Sequence, residues 1–231
     1  MATLSPDTIT DIKTAKTISG PHSLYNDSFT LEFLEPPPAL DATVLMRSTY
    51  LAPSNKLGKS HPQAPPLHLH FLQAETFFVT KGIIGTTLGY STQDQSWKAG
   101  SHHEIAPWTP HCFWPHPDAR EDSTVYVWAH PDAGDEAMDC LFFENLLRYM
   151  SDVCEGKAKL DLVQVLAMQH ASASAPVVFP TAWWLGPLRW WVPWTVQKGI
   201  AGVGRLCGYK ALMQKYTGEE EWEEYLRTKR A

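Results

Sequence analysis

Between Ser28 and His130 the sequence is a series of short strand candidates separated by turn residues, and this pattern constrains the fold most. Alternating apolar residues mark candidates at 28–34 and 42–52, and seven more follow at 67–71, 75–80, 83–90, 96–98, 102–106, 111–114 and 123–130. Lys81-Gly82 and the stretches at 91–95 and 107–110 supply the turns. Many short strands at regular spacing are typical of β-sandwiches and barrels. The sequence therefore predicts an all-β barrel.

The periodicity changes from that of a strand to that of a helix after Pro131. Phe142, Leu146, Tyr149 and Val153 recur at the spacing of one helical face, and a second helix candidate covers 160–171. We therefore predict three parts, which are a polar N-terminal arm that is partly ordered at best (1–25), the β-barrel (26–132) and a C-terminal helical, tryptophan-rich extension (133–231).

Composition limits the classes of partner. A formal net charge of -6, with no local stripe of Lys and Arg, argues against nucleic-acid binding. The four cysteines are widely spaced, as expected for reduced thiols, and the first residues lack the apolar stretch of a secretory signal. We expect a cytoplasmic protein whose partner is a small molecule.

Five of the ten tryptophans lie between Trp183 and Trp194. Arg189 and Lys198 interrupt this apolar segment and Pro187 and Pro193 break it, so it does not read as a transmembrane helix. The favoured interpretation is that it packs over the barrel or across a dimer. Contact with a membrane interface and closure over a substrate are the alternatives.

His68, His70 and Glu75 are polar residues on strands whose neighbours are apolar. Side chains at i and i+2 share one face of a strand, so the two histidines point the same way. Glu75 opens the next strand, where Phe77 shares its face. Two histidines and one carboxylate are a ligand set suited to non-haem iron or a similar divalent ion. His111, which begins a later strand, is the fourth candidate ligand.

These residues resemble the two motifs of the cupin superfamily, the small double-stranded β-helix barrels. The first motif, G-x5-H-x-H-x(3,4)-E-x6-G, is matched from His68 to Gly82, with Pro62 at the position of the leading glycine. The second, G-x5-P-x-G-x2-H-x3-N, is matched at Gly100 and His111. Within it the proline is one place late at Pro107, and Trp108 and Pro115 replace the inner glycine and the asparagine.

The resemblance implies a jelly-roll barrel with a divalent transition metal held by His68, His70, Glu75 and His111. Iron is the expected metal, and manganese, zinc or nickel are alternatives. The length, the tryptophan-rich tail and the segment GYKALMQKY are also similar to small fungal cupin-domain oxidoreductases of polyketide gene clusters. Cupins are often dimers, so a homodimer is expected.

The function implied is a metal-dependent oxidoreductase or dioxygenase that tailors a small aromatic or polyketide-type substrate. One alternative is an isomerase, dehydratase or cyclase in which the metal acts as a Lewis acid. The other is a non-catalytic, metal-containing binding protein. Glu75 and His111 are the expected catalytic residues. The candidates for substrate binding are aromatic and histidine side chains near the site, namely Phe77, Phe113, Tyr126, Trp128 and His130.

Overall fold

The computed structural model describes residues 4–177, 183–186 and 188–227, and the strands within them form two antiparallel sheets. The strands are β1 (Thr17–Leu24), β2 (Phe29–Leu34), β3 (Val44–Tyr50), β4 (His68–His70), β5 (Ala74–Lys81), β6 (Ile83–Leu88), β7 (Gln93–Lys98), β8 (His102–Ile105), β9 (His111–Pro115), β10 (Ser123–His130) and β11 (Ser174–Pro176). The first sheet has the order β1-β2-β3-β10-β5-β8 and the second β11-β4-β9-β6-β7. This arrangement confirms the predicted barrel.

The main core lies between the two sheets. Alternation along each strand sends every second side chain inward, which explains why Val125 and Val127 of β10 and Phe77 and Val79 of β5 are buried together. A second apolar cluster lies on the outer face of the first sheet and includes Phe78 and Trp128. Both faces of that sheet are therefore covered.

Six α-helices occur in the described residues. They are α1 (Pro6–Thr14), α2 (Ala52–Asn55), α3 (Cys140–Cys154), α4 (Leu162–Ala171), α5 (Leu188–Leu206) and α6 (Glu219–Arg227). Asp139 caps α3, where its side chain accepts a hydrogen bond from the Phe142 amide at 2.8 Å. The face predicted for this helix packs on the barrel core, with Phe142 and Tyr149 buried.

The extension also contributes β11, a strand that the sequence did not indicate. β11 pairs with β4, so that Ser174 lies opposite His70 and Pro176 opposite His68. Gln73 joins the same two parts of the chain, because its amide oxygen accepts a hydrogen bond from the Met138 amide at 2.6 Å. The extension is thus built into the edge of the sheet that carries the two histidines.

The prediction of a partly ordered N-terminal arm is wrong for the described part of that region. Ser5 caps α1 and Pro6 occupies its first turn. Ile12 of α1 is fully buried in the apolar cluster on the outer face of the first sheet. β1 pairs with β2 along its length. The first three residues of the predicted arm lie outside the described residues.

The tryptophan-rich segment is described in part. The side chains of Trp183, Trp190 and Trp191 lie outside the described residues. Trp194 contacts Phe71 edge-on, with ring centroids 5.8 Å apart, so this residue packs over the barrel. Trp184 is exposed. Within the described part of the chain, helices lack the combination of length and apolar character that crossing a membrane requires.

Candidate metal centre

The four predicted ligands converge at one end of the barrel. His68 and His70 point to the same side of β4, and His111 on β9 lies directly opposite His68. Glu75 reaches the group from β5 in the other sheet. One ligand atom from each of the four residues lies within 4.8 Å of the others. The two sheets therefore bring together all four residues that the sequence predicted as metal ligands.

Backbone carbonyls orient two of the imidazole rings. Nδ1 of His68 lies 2.9 Å from the Pro66 oxygen, and Nδ1 of His111 lies 2.9 Å from the Thr109 oxygen. A carbonyl oxygen only accepts, so each Nδ1 carries a hydrogen and donates it. In a neutral ring, Nε2 then holds a lone pair. This is the second hydrogen bond that metal-binding histidines characteristically make.

The pair formed by His111 and Glu75 requires a proton or a cation between its two members. Nε2 of His111 lies 3.0 Å from Oε2 of Glu75, and both side chains are 2% exposed. Two lone pairs at this distance repel each other unless a proton or a cation lies between them. Since water does not reach the pair, an unbalanced charge here would be costly. The donor set therefore fits a divalent metal.

Burial keeps the other two histidines in the form that binds metals. It lowers the pKa of His68 to about 3, and the neighbouring His111 acts in the same direction. Burial also holds the pKa of His70 well below its usual value. Both rings are therefore neutral near pH 7, and a neutral imidazole is the form that coordinates a metal.

An apolar cavity of about 80 Å³ opens beside the four residues. Its walls come from both sheets and from α3, so the extension closes one side. Besides three of the candidate ligands, four other polar side chains line it. This combination of an apolar wall and few polar groups is typical of a small-molecule site. Its apolar side chains are Met46, Pro65, Pro66, Phe113, Val127, Phe142, Phe143, Leu146 and Leu147.

Of the five residues proposed to bind substrate, Phe113 lines this cavity. Phe77 is buried in the main core and supports Phe113, with ring centroids 5.2 Å apart. Its place is one layer behind the cavity wall.

The structure does not bring Tyr126, Trp128 and His130 to the cavity, which corrects the expectation that they line it. They point to the outer face of β10, where Tyr126 and Trp128 pack in the cluster covered by α1. His130 lies 3.0 Å from the hydroxyl of Thr76 on the same face. Val127 lies between Tyr126 and Trp128 on β10, points to the opposite face and lines the cavity.

The cavity contains polar residues that the motifs did not indicate. Gln63 comes from the loop before β4, and Gln169 and Ser174 come from α4 and β11 of the extension. Ser48 on β3 completes the group. The spacing of the sequence gives no signal for them, because their proximity depends on how β3, the loop before β4 and the extension fold together.

Trp108 stands where the second cupin motif has glycine, and its backbone explains the motif. It has φ of 66°, a left-handed conformation that glycine adopts without strain. In this turn its amide donates a hydrogen bond to the His70 oxygen at 2.8 Å. The ring packs on Phe71 at 4.7 Å between centroids. The turn thus ties the strand of His70 to that of His111 although the glycine is absent.

The chain is similar to fungal proteins that are named as oxidoreductases. No protein-family model matches it. It is 33% identical over 218 residues to the probable oxidoreductase patJ of Penicillium expansum, covering 84% of this chain and 60% of that protein. It is 30% identical over 204 residues to the probable oxidoreductase virH of Hypocrea virens, covering 87% of this chain and 88% of that protein.

The chain spans about three-fifths of the length of patJ but most of virH. Among solved structures, the cupin domain of Schizosaccharomyces pombe Cnp3 is similar with a TM-score of 0.35 and 11% identity, covering 46% of this chain and 66% of that chain. A similarity of this size carries no argument about function. The two-sheet barrel with its motif residues has the cupin fold, and the chain belongs to the same family as the probable oxidoreductase virH.

Proposed function

We propose that the chain is a metal-dependent oxidoreductase of the dioxygenase type, acting on a small aromatic or polyketide-type substrate of fungal secondary metabolism. The observation that carries this proposal is the convergence of three imidazoles and one carboxylate beside an apolar cavity whose wall includes His68, His70 and Glu75. The names of the relatives support oxidation as the class of reaction.

His68, His70, Glu75 and His111 would hold the metal. Three nitrogen ligands and one oxygen ligand suit iron, and the same set accepts manganese, zinc or nickel. With a coordination position left open, the bound metal would supply activation of a substrate oxygen or of dioxygen. The carbonyls of Pro66 and Thr109 fix the ring orientation of two ligands before any metal binds.

Glu75 and His111 are the expected catalytic residues. If both bind the metal, Nε2 of His111 and one carboxylate oxygen of Glu75 are occupied, and the second carboxylate oxygen of Glu75 is the atom that would exchange a proton with the substrate. Phe113 of the barrel and Phe142 of α3 contribute to the apolar wall of the cavity, and the side chains of Glu75 and His111 are both 2% exposed. The site therefore holds these groups away from bulk water.

Metal analysis tests the ligand assignment. We expect the purified protein to contain close to one equivalent of a divalent transition metal, and the double variant His70→Ala, Glu75→Ala to contain almost none. His130 and Glu104 form a second histidine–glutamate pair, 3.6 Å apart, on the outer face of the first sheet. The double variant His130→Ala, Glu104→Ala is the matched control and should retain the metal. Full retention in the first variant would refute the assignment.

Oxygen consumption tests the class of reaction. The protein, after its metal is identified, is incubated with aromatic aldehydes and alcohols, with and without oxygen. Oxidation predicts product only with oxygen and a matching uptake of oxygen. Equal turnover under anaerobic conditions would instead establish Lewis-acid chemistry, and binding without any product would establish a binding protein. Either result contradicts the proposal.

A further inference from the structure

The side-chain amide of Gln169 is the unexplained polar group of the cavity. Gln169 lies near the end of α4 and forms part of the cavity wall. Its amide oxygen is buried and has no hydrogen-bond partner among the described residues. Buried side-chain acceptors are usually paired, and an exception commonly marks the place of a ligand or a water molecule. Gln169 therefore carries an unpaired acceptor on a side chain that lines the cavity.

The other polar groups of the wall do not supply that partner. Ser174 directs its hydroxyl to the backbone oxygen of Gln169, at 3.1 Å, and not to its amide. Gln63, the second amide of the cavity, differs from Gln169 because its oxygen already accepts the hydroxyl hydrogen of Tyr50. Gln169 thus has the acceptor without a partner in a wall that is otherwise mostly apolar.

We propose that Gln169 is a substrate-binding residue whose amide oxygen accepts a hydrogen bond from a hydroxyl group of the substrate. This inference rests on the proposed function only in taking the cavity as the substrate site. The terminal amide turns about a broad, soft torsion, so its oxygen can be presented to a ligand at little cost. The substrate class that fits is a small, mainly apolar ring compound with one hydrogen-bond donor.

The aromatic character of the ligand follows from the wall around the amide. Phe113 comes from the barrel, and Phe142 and Phe143 come from α3. Aromatic side chains favour edge-on or offset contacts with another ring. A ring held between these side chains would direct its substituents toward the polar groups of the wall. Gln169 is one of these polar groups.

Two probes that share the same methyl-substituted ring test this inference in the purified protein. 3-Methylphenol carries a hydroxyl group, and 3-methylanisole has a methyl group in place of the hydroxyl hydrogen, so it keeps the oxygen and lacks the donor. One net hydrogen bond corresponds to a preference of about fivefold in Kd. We expect calorimetry to show 3-methylphenol binding about fivefold more tightly. Equal affinities would overturn the inference, and they are the result expected if a water molecule alone satisfies the amide.

The variant Gln169→Met removes the amide and keeps an unbranched side chain of similar length. We expect it to lose the preference for the phenol while binding 3-methylanisole as tightly as before. Gln164→Met is the matched control, since Gln164 lies on the same helix, donates to the Lys210 oxygen at 2.7 Å and does not line the cavity.

An unchanged preference in Gln169→Met would show that the metal or another group binds the hydroxyl, and an equal loss for both probes would show that Gln169 only shapes the cavity. Either result overturns the inference. All four candidate metal ligands are intact in the variant, so its metal content separates this failure from failure of the metal site.

Discussion

The left-handed turn at Trp108 gives a stability prediction that reverses the usual order of alanine and glycine. A residue other than glycine pays about 1–2 kcal/mol to adopt such a φ. Trp108→Ala and Trp108→Gly lose the same indole ring, but only glycine relieves the backbone at φ of 66°. We therefore expect the glycine variant to be more stable than the alanine variant by about 1 kcal/mol.

The ring itself explains why tryptophan is tolerated. Trp108 is 47% exposed, so about half of its side chain is covered, partly by Phe71. A buried area of about 120 Å² at about 25 cal/mol/Å² corresponds to about 3 kcal/mol as an upper estimate. This exceeds the backbone strain. The expected order of stability is therefore the natural protein, then the glycine variant, then the alanine variant.

Urea denaturation of the variants measures this order, and thermal melting should separate glycine from alanine by about 2–4 °C for a chain of this size. Leu72 is the matched control. It is an exposed apolar residue of the neighbouring loop, 44% exposed, and its φ is not positive. There the alanine variant should be the more stable one. If Trp108→Ala equals or exceeds Trp108→Gly in stability, the assignment of strain to this turn is refuted.

Three further predictions concern packing, pH and metal. Gly85→Ala places a Cβ inside the ring of Trp114 and should cost about 1–3 kcal/mol in urea denaturation, whereas Gly199→Ala meets no neighbour and should not destabilise. Burial lowers the pKa of His61 from 6.5 to about 4, so the unfolded chain binds a proton more readily than the folded chain. The stability of the protein therefore falls as the pH drops from about 6.5 to about 4. His61→Gln should remove that loss, on the order of 2 kcal/mol between pH 7 and 4.5, and an unchanged pH dependence would contradict the reasoning. A chelator should lower the Tm of the natural protein and leave that of His70→Ala unchanged, because a metal bound only by the folded chain stabilises it; an equal shift in both would contradict this.

Three of the four candidate ligands could be predicted because their geometry is local, whereas His111 was added from its place in the second cupin motif. His68 and His70 share a face whenever their segment is a strand, and the position of Glu75 follows from the next strand. The helical face of α3 was equally readable, since Phe142 and Tyr149 repeat with the period of a helix. In each case the information lies within about a dozen residues, and one periodicity dominates.

The side of the sheet to which β10 directs Tyr126 and Trp128 could not be predicted in the same way. Alternation divides β10 into two sets, but both sets are apolar because both faces of the sheet are covered. A strand buried on both faces has no polar side to reveal its orientation. The covering element is α1, whose mainly polar sequence gave little indication of order, and Ile12 is its one fully buried residue.

The same limit explains why the role of the extension appears only in three dimensions. β11 is three residues long, and it forms a strand because β4 offers an unpaired edge beside His68 and His70. Once paired, it brings Ser174 to the cavity, and α4 immediately before it brings Gln169. The barrel motifs therefore supply the candidate metal ligands. The extension, through α3, α4 and β11, supplies much of the wall that a substrate would contact. Relatives that keep the four ligands and differ in this extension should consequently share a metal site and differ in substrate.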